Sequence, residues 1–142
     1  MFVNRREVVI EWGDCDPAGI VFYPRYFAIF NQSTGLMFEA ATGMTTFDIL
    51  RSYGTIGWPM VDTRARFFIP SRYDDRITIE TRVVDIRHSS FDIGHKVTKG
   101  GHLAIEAMET RVWSGHDPDH PQHIRALPLP QPLRDALMRE AE

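Results

Sequence analysis

A single cysteine, Cys15, is all the chain contains, so no internal disulfide can staple the fold, and a reducing cytoplasm is the expected compartment. Basic residues are not in excess: 16 Lys and Arg against 19 Asp and Glu give a formal net charge of −3. A nucleic-acid binder normally carries a basic surplus, so that class is excluded, although a small basic patch for a phosphate-bearing ligand is not. No stretch approaches the ~20 apolar residues of a membrane span. The N-terminus, Met1-Phe-Val-Asn-Arg-Arg-Glu7, enters an alternating strand pattern at once and lacks the apolar core of a signal peptide. No repeat, low-complexity run or long linker divides the chain. What is present is ordinary for a globular protein: 142 residues, 43% hydrophobic and 25% charged, enough for one domain over 1–142 with a real core.

Periodicity sets out the elements. Residues 5–12 read as a strand, with Val8, Val9, Ile10 and Trp12 rich in β-formers. From Pro24 to Thr42 apolar residues fall near a 3.6-residue period at Tyr26, Phe27, Phe30, Met37, Phe38 and Ala41, and Gly43 follows as a stop. Gly35 sits in mid-helix at a cost of up to ~1 kcal/mol relative to Ala, which points to a backbone approaching closely there. A short helix is expected around Thr46–Ser52. Residues 58–69 alternate, with Val61, Thr63, Ala65, Phe67 and Ile69 on one face and Asp62, Arg64 and Arg66 on the other. Residues 76–87, 90–98 and 102–114 continue in the same way, broken by turn signals at Arg72-Tyr-Asp-Asp75 and Lys99-Gly-Gly101. A polar, Pro-rich segment, Ser114–Pro132, leads to an amphipathic helix near Leu133–Glu140. One strand, a long apolar helix and four strands in meander order make an α+β plan, the helix being apolar enough for a curved antiparallel sheet to wrap it. Such a sheet leaves a face or an edge to protect, and pairing across a two-fold is the usual solution, so a homo-oligomer is expected.

The chemistry concentrates in Glu11-Trp-Gly-Asp-Cys-Asp-Pro-Ala-Gly-Ile-Val-Phe-Tyr-Pro24. It places a carboxylate, Asp16, in a constrained loop just ahead of the long helix. Pro17 biases Asp16 away from the α region, and Gly19 permits positive φ. Tyr23-Pro24 reads as a helix start, because Pro is tolerated at the first helical position. Unpaired N–H groups there suit a carbonyl oxygen that is becoming an oxyanion. Carboxylate plus oxyanion site is the minimum kit for attack on an acyl group. The competing reading is structural, since Asp-Pro is an ordinary turn dipeptide whose carboxylate bonds to nearby backbone N–H groups.

The run Gly13-Asp-Cys-Asp-Pro-Ala-Gly-Ile-Val21, followed by Tyr23-Pro24, closely resembles the signature of the 4-hydroxybenzoyl-CoA thioesterase family, acyl-CoA hydrolases of the hotdog fold. The likeness continues through Gly57, Pro59, Tyr73-Asp-Asp75 and Ile79-Glu-Thr81 and covers most of the chain. It implies a hotdog fold, a curved antiparallel sheet around one central helix, and a dimer or dimer of dimers. It implies an acyl-CoA substrate, with Asp16 as catalytic carboxylate, either nucleophile or general base, and the Tyr23 N–H as the group that polarises the thioester. No cofactor is called for beyond coenzyme A as part of the substrate. Asp14 becomes a structural acceptor in the loop.

At Asn31 the resembling enzyme carries a carboxylate that meets the substrate's phenol; Thr46 stands for a tryptophan and Trp58 for a threonine. Asn31 and Trp58 are thus candidate acyl-binding residues. Because an amide differs from a carboxylate in charge and donor capacity, a broader aryl or medium apolar acyl preference is expected than for the 4-hydroxybenzoyl enzyme. Arg87, His88 and Ser89 fall where that enzyme has a basic run on the coenzyme A phosphates, diluted here to one Arg and one His; the competing reading is an exposed strand start.

Other constellations carry less. His116, His120 and His123 cluster with Asp117 and Asp119 in a loop, but their spacing matches no helix-mounted zinc pattern, and no metal is expected. Cys15 lacks the surroundings of a nucleophile, and the neighbouring Asp14 and Asp16 disfavour its thiolate, so a small buried hydrophobe is expected. A non-catalytic acyl-CoA or acyl-carrier binding module is the alternative from another class. A hotdog dehydratase ranks last, because its motif carries a catalytic His in this region and no His precedes His88 here.

Overall fold

The computed structural model describes residues 1–140; the expected domain runs to 142, and its last two residues lie outside the described ones. In chain order the elements are β1 (Val3–Val9), α1 (Pro24–Thr42), α2 (Thr46–Tyr53), β2 (Met60–Phe67), β3 (Arg76–Ile86), β4 (Ser90–Lys99), β5 (His102–Val112), β6 (Ser114–His116), β7 (Ile124–Ala126) and α3 (Gln131–Met138). The strand expected over 5–12 starts and stops earlier. Asp14 Oδ2 accepts the Glu11 N–H at 2.9 Å, which turns Trp12–Asp14 into one short 3-10 turn and leaves Trp12 exposed.

Helix α1 follows its periodicity. Pro24 occupies the first turn, and Gly43 at φ 71° donates its N–H to Glu39 O at 2.9 Å, closing the C-terminus. Tyr26, Phe30, Met37, Phe38 and Ala41 are buried. A Cβ placed on Gly35 would meet the Thr46 hydroxyl at 3.7 Å, an ordinary contact with a side chain rather than the close backbone approach expected. Helix α2 is capped by Thr45, whose hydroxyl accepts the Asp48 N–H at 3.1 Å.

The main sheet is antiparallel with order β1-β3-β4-β5-β2. The meander holds for β3, β4 and β5, but β2 pairs with β5 instead of β3. Three inter-strand steps of about 4.8 Å separate β2 from β3, a span of about 14 Å, which no tight turn bridges. Residues 68–75 cross it instead, pinned by the Phe68 N–H to Ala104 O bond at 2.8 Å and by the Ile20–Arg72 bridge. This places β2 at a sheet edge, where Val61 and Phe67 are exposed. The Pro-rich segment holds a small β6–β7 ribbon that the sequence pattern does not show. Beyond it, α3 buries Leu133 and Leu137 and ties back to α1 through Arg139 Nη2 and Ala41 O at 2.7 Å. Among the described residues no helix is long and apolar enough to cross a membrane.

The inner face of the sheet packs on α1 in two clusters, one around Phe30, Ile79 and Ile105 and one around Phe38, Phe91 and Trp113. Phe38 is fully buried, stacked on Trp58 at 4.2 Å and edge-on to Phe91 at 5.5 Å. Phe38→Ala is therefore expected to cost about 3–5 kcal/mol of unfolding free energy, measurable by denaturant titration at unchanged m-value.

Candidate active site

After β1 the chain folds back on itself. Phe22 N–H donates to Asp14 O at 2.8 Å, Cys15 bridges Val21, and Asp16 N–H donates to Ile20 O at 2.9 Å. The reversal closes with Gly19 at φ 80°, its N–H on Asp16 O at 2.9 Å; a side chain at that φ is strained. Asp16 is half-buried, and its Oδ1 accepts the Ala18 N–H at 2.8 Å. That is the turn expected of Asp-Pro. One oxygen holds the loop, and the other, Oδ2, makes no hydrogen bond among the described residues.

Asp14 is the buried partner of this pair. Besides the Glu11 N–H it accepts Arg25 Nε at 3.1 Å and Nη2 at 3.0 Å, so it locks the hairpin to the first turn of α1, the structural part expected for it. Cys15 is half-buried, its Sγ 3.7 Å from Glu11 O, and not fully enclosed as expected.

Tyr23 caps α1 with its ring exposed. The flanking amides are engaged: Phe22 N–H on Asp14 O, Arg25 N–H on Phe22 O at 2.8 Å and Tyr26 N–H on Tyr23 O at 3.1 Å. Pro24 has none to offer. Among the described residues the Tyr23 amide is thus a donor without an acceptor at the positive end of a 19-residue helix. A cavity of about 190 Å³ opens here, walled by Ile20, Tyr23, Tyr26, Phe67 and Ile69.

A second cavity, of about 420 Å³, brings together Asn31, Thr46, Leu50, Trp58, Pro59 and Arg111. The two acyl-site candidates, Asn31 and Trp58, therefore share one wall, although they come from α1 and the loop before β2. Trp58 lines it with little surface, because its ring is packed between Phe38 and Trp113. Asn31 lies eight residues along α1 from Tyr23, about 12 Å at the helical rise. Within one protomer the structure thus separates Asp16 and Tyr23 from Asn31 and Trp58.

Arg87, His88 and Ser89 lie in the turn between β3 and β4. The Arg87 guanidinium is engaged by Asp92 at 2.7 and 2.9 Å and by Asp85 at 2.8 Å, and its Nε donates to Ser90 Oγ at 2.8 Å. Asp92 foremost, with Asp85, raises the Arg87 pKa above its ordinary value. The His88 carbonyl accepts the Leu129 N–H, and Arg134 of α3 donates to Arg87 O at 2.8 Å. Arg134 is a cation beside this turn that the sequence pattern does not single out.

Beneath the larger cavity runs a buried polar chain. Thr81 Oγ1 meets His95 Nδ1 at 2.9 Å, and His95 Nε2 meets Glu109 Oε1 at 2.6 Å. Thr34 Oγ1 donates to the same oxygen at 2.5 Å. Glu109 Oε2 accepts Arg111 Nη2 at 2.7 Å, and Arg111 Nη1 donates to Trp58 O at 3.2 Å. The Phe30 ring stacks on His95 at 4.7 Å. Burial by itself pushes the Glu109 carboxyl up, but His95 and Arg111 outweigh it and hold its pKa below the ordinary value. A signal for this chain is present in the sequence: Glu109 and Arg111 occupy inward-facing positions of β5, between Ala107 and Trp113.

The sign of the pH dependence follows. Glu109, like Asp75 and Asp92, has a lower pKa folded than unfolded. Its stabilisation is complete above the unfolded carboxylate range and is lost as pH falls through the lower folded value. Melting temperature is expected to hold steady from neutrality to about pH 5 and to fall below about pH 4, as a pH series of thermal melts would record.

The loop histidines do not converge. His120 and His123 approach at 5.2 Å between ring centroids, but among the described residues no group of three or more His, Cys, Asp or Glu side chains is placed to hold a metal ion.

Against known proteins, residues 10–137 match the model of the thioesterase-like superfamily. The chain belongs to that superfamily. It is 35% identical over 126 residues to the 4-hydroxybenzoyl-CoA thioesterase of Pseudomonas sp. strain CBS-3, covering 85% of this chain and 87% of that one. The solved structure of the enzyme from that strain superposes with a TM-score of 0.85 at 32% identity, over 94% of this chain and 98% of that one. An Asp-to-Asn mutant of a 4-hydroxybenzoyl-CoA thioesterase, complexed with 4-hydroxybenzoyl-CoA, gives 0.86 at 31%, over 95% and 98%. A gentisyl-coenzyme A thioesterase shares the hotdog fold at TM-score 0.79 and 24% identity, over 96% and 100%. The hotdog expectation holds for this thioesterase-like chain.

Proposed function

We propose that this thioesterase hydrolyses an aryl or medium acyl-CoA to the free acid and coenzyme A, with Asp16 as the reacting carboxylate. The observation that carries the assignment is the divided role of Asp16 in the loop that leads into α1: Oδ1 is fixed by Ala18 N–H while Oδ2 has no hydrogen-bond partner among the described residues. Oδ2 either attacks the thioester carbonyl, breaking the C–S bond so that the coenzyme A thiolate leaves as a mixed anhydride forms, which water then cleaves to the free acid with return of the Asp16 carboxylate, or takes a proton from a water that attacks the carbonyl and expels the thiolate directly. The unpaired Tyr23 N–H polarises the carbonyl oxygen and stabilises it as negative charge develops. Asn31 and Trp58 bound the acyl group.

The coenzyme A phosphates are met at the turn of Arg87, His88 and Ser89. Arg87 is already neutralised by Asp85 and Asp92, so the contact rests on the exposed His88 ring, the Ser89 hydroxyl and the nearby Arg134. The protein works in the cytoplasm as a homodimer or dimer of dimers. Two features support assembly: β2 offers an unpaired sheet edge, and the half-sites about 12 Å apart along α1 join if a second copy brings its Asp16 loop to the Asn31 cavity.

The test is a panel of 4-hydroxybenzoyl-, benzoyl-, phenylacetyl- and short aliphatic CoA thioesters with a free-thiol reagent. Catalytic thiol release from at least one aryl or medium acyl thioester is expected. Stoichiometric binding without thiol release across the panel would instead establish a non-catalytic acyl-CoA binding module.

A further inference from the structure

We infer that Arg111 is a specificity-determining residue of the Asn31–Trp58 cavity, donating hydrogen bonds to an acceptor oxygen at the end of the acyl group remote from the thioester. The inference rests on the proposed acyl-CoA substrate and narrows it to acyl groups oxygenated at that end.

Arg111 lines the cavity yet is only 4% exposed. A guanidinium has five N–H donors and no acceptor. Here one is given to Glu109 and one to the Trp58 carbonyl, and the buried Nε has no partner among the described residues. The Nε is closed off from the cavity, so the second N–H on Nη1 and on Nη2 is what Arg111 offers there, and these donors favour an occupant that carries lone pairs. The fork is also held still. Glu109 fixes Nη2, while His95 and Thr34 fix Glu109, and Thr81 fixes the far side of the His95 ring. Rigid donors lose less entropy when a ligand arrives.

A role confined to the fold explains less. A buried ion pair commonly gives no more stability than apolar side chains of similar volume, and an Arg serving only the fold would have no reason to sit on a cavity wall with donors to spare. The Glu109 carboxylate offsets the guanidinium charge, so a neutral oxygen is suited to the place. Because Arg111 donates only, it reads a lone pair and not a hydroxyl proton. Hydroxyl and methoxy groups should therefore be recognised alike, with Asn31 beside them able to donate or accept.

Binding of three non-hydrolysable thioethers, 4-hydroxyphenacyl-, 4-methoxyphenacyl- and phenacyl-CoA, is measured by calorimetry. Wild type should prefer both oxygenated probes over phenacyl-CoA by about tenfold or more, the span of a hydrogen bond to a charged group. Arg111→Met should bring that ratio below about threefold, with Arg111→Lys in between. The double variant Glu109→Gln/Arg111→Met removes both charges, guards against unfolding, and should show the same collapsed ratio. Wild type binding all three probes alike or none of them, preferring only the hydroxyl, or Arg111→Met weakening all three equally would each overturn the inference. Since binding is read, a preserved preference without thiol release from the thioesters would overturn the hydrolase assignment and leave this one standing.

Discussion

Asp16→Asn is expected to lower kcat by about 10²–10⁴-fold, the usual worth of a positioned acid–base or nucleophilic group, with little change in substrate affinity or melting temperature. The change is nearly isosteric. The Asn carbonyl can still accept the Ala18 N–H that fixes the turn, so the hairpin from Asp14 to Phe22 should keep its shape. What disappears is the negative charge on the second oxygen, which Asn replaces with an NH₂ that can neither attack a carbonyl nor take a proton. Steady-state kinetics on the best thioester of the panel, with a thermal melt of the same preparation, separates the two effects. A loss below tenfold, about 1.4 kcal/mol of activation free energy, would remove Asp16 from the reacting role and leave the turn as its whole explanation.

Glu109→Gln should produce a loss of stability as large as that of the Phe38 core truncation, about 3–5 kcal/mol, and a fall in Tm of about 10 °C or more. The amide keeps the volume and one acceptor, so His95 and Thr34 retain a partner. Arg111 does not: its guanidinium stays almost fully buried with no carboxylate opposite it. The full cost of an uncompensated buried charge then appears. Glu109→Gln/Arg111→Met should recover much of the loss, because removing both charges leaves neither unpaired. Differential scanning calorimetry of the single and double variants checks both statements. If the single variant melts within about 2 °C of wild type, the ionised pair contributes little.

Two elements show how much of the architecture is local. Helix α1 is legible from end to end because its start at Pro24, its apolar face and its stop at Gly43 are all short-range signals. Strands β3, β4 and β5 are legible because a half-buried strand alternates every second residue, and two Gly-rich residues after Lys99 join β4 to β5. The partner of β2 was not legible. Its alternation is as regular as that of β3, but alternation says which face a side chain takes and nothing about which neighbour supplies the ladder; that depends on the free edge of β5.

The same division runs through the site. Asp16, Tyr23 and the carboxylate lock at Asp14 belong to one contiguous stretch, and its Pro, Gly and Asp residues carry the turn, the helix entrance and the leftover oxygen. Sequence also marks Asn31 and Trp58 as a pair through resemblance, and tertiary structure places both on one cavity wall. What only the tertiary structure decided is the company they keep. Arg87 reads as a free cation until Asp85 and Asp92 close on it from two strands. Glu109 and Arg111 read as charges misplaced on the inward face of a strand until His95 from β4 and Thr34 from α1 reach them. The sequence by itself determined the loop from Asp14 to Tyr23, the central helix and the alternation of β3, because these follow from bonds and contacts a few residues apart; the alternation of β2 did not predict its burial, since Val61 and Phe67 are exposed. Strand order, the neutralisation of buried charge and the donors lining the Asn31–Trp58 cavity were decided by tertiary structure, because each depends on partners far apart in sequence that only close packing brings within hydrogen-bond reach.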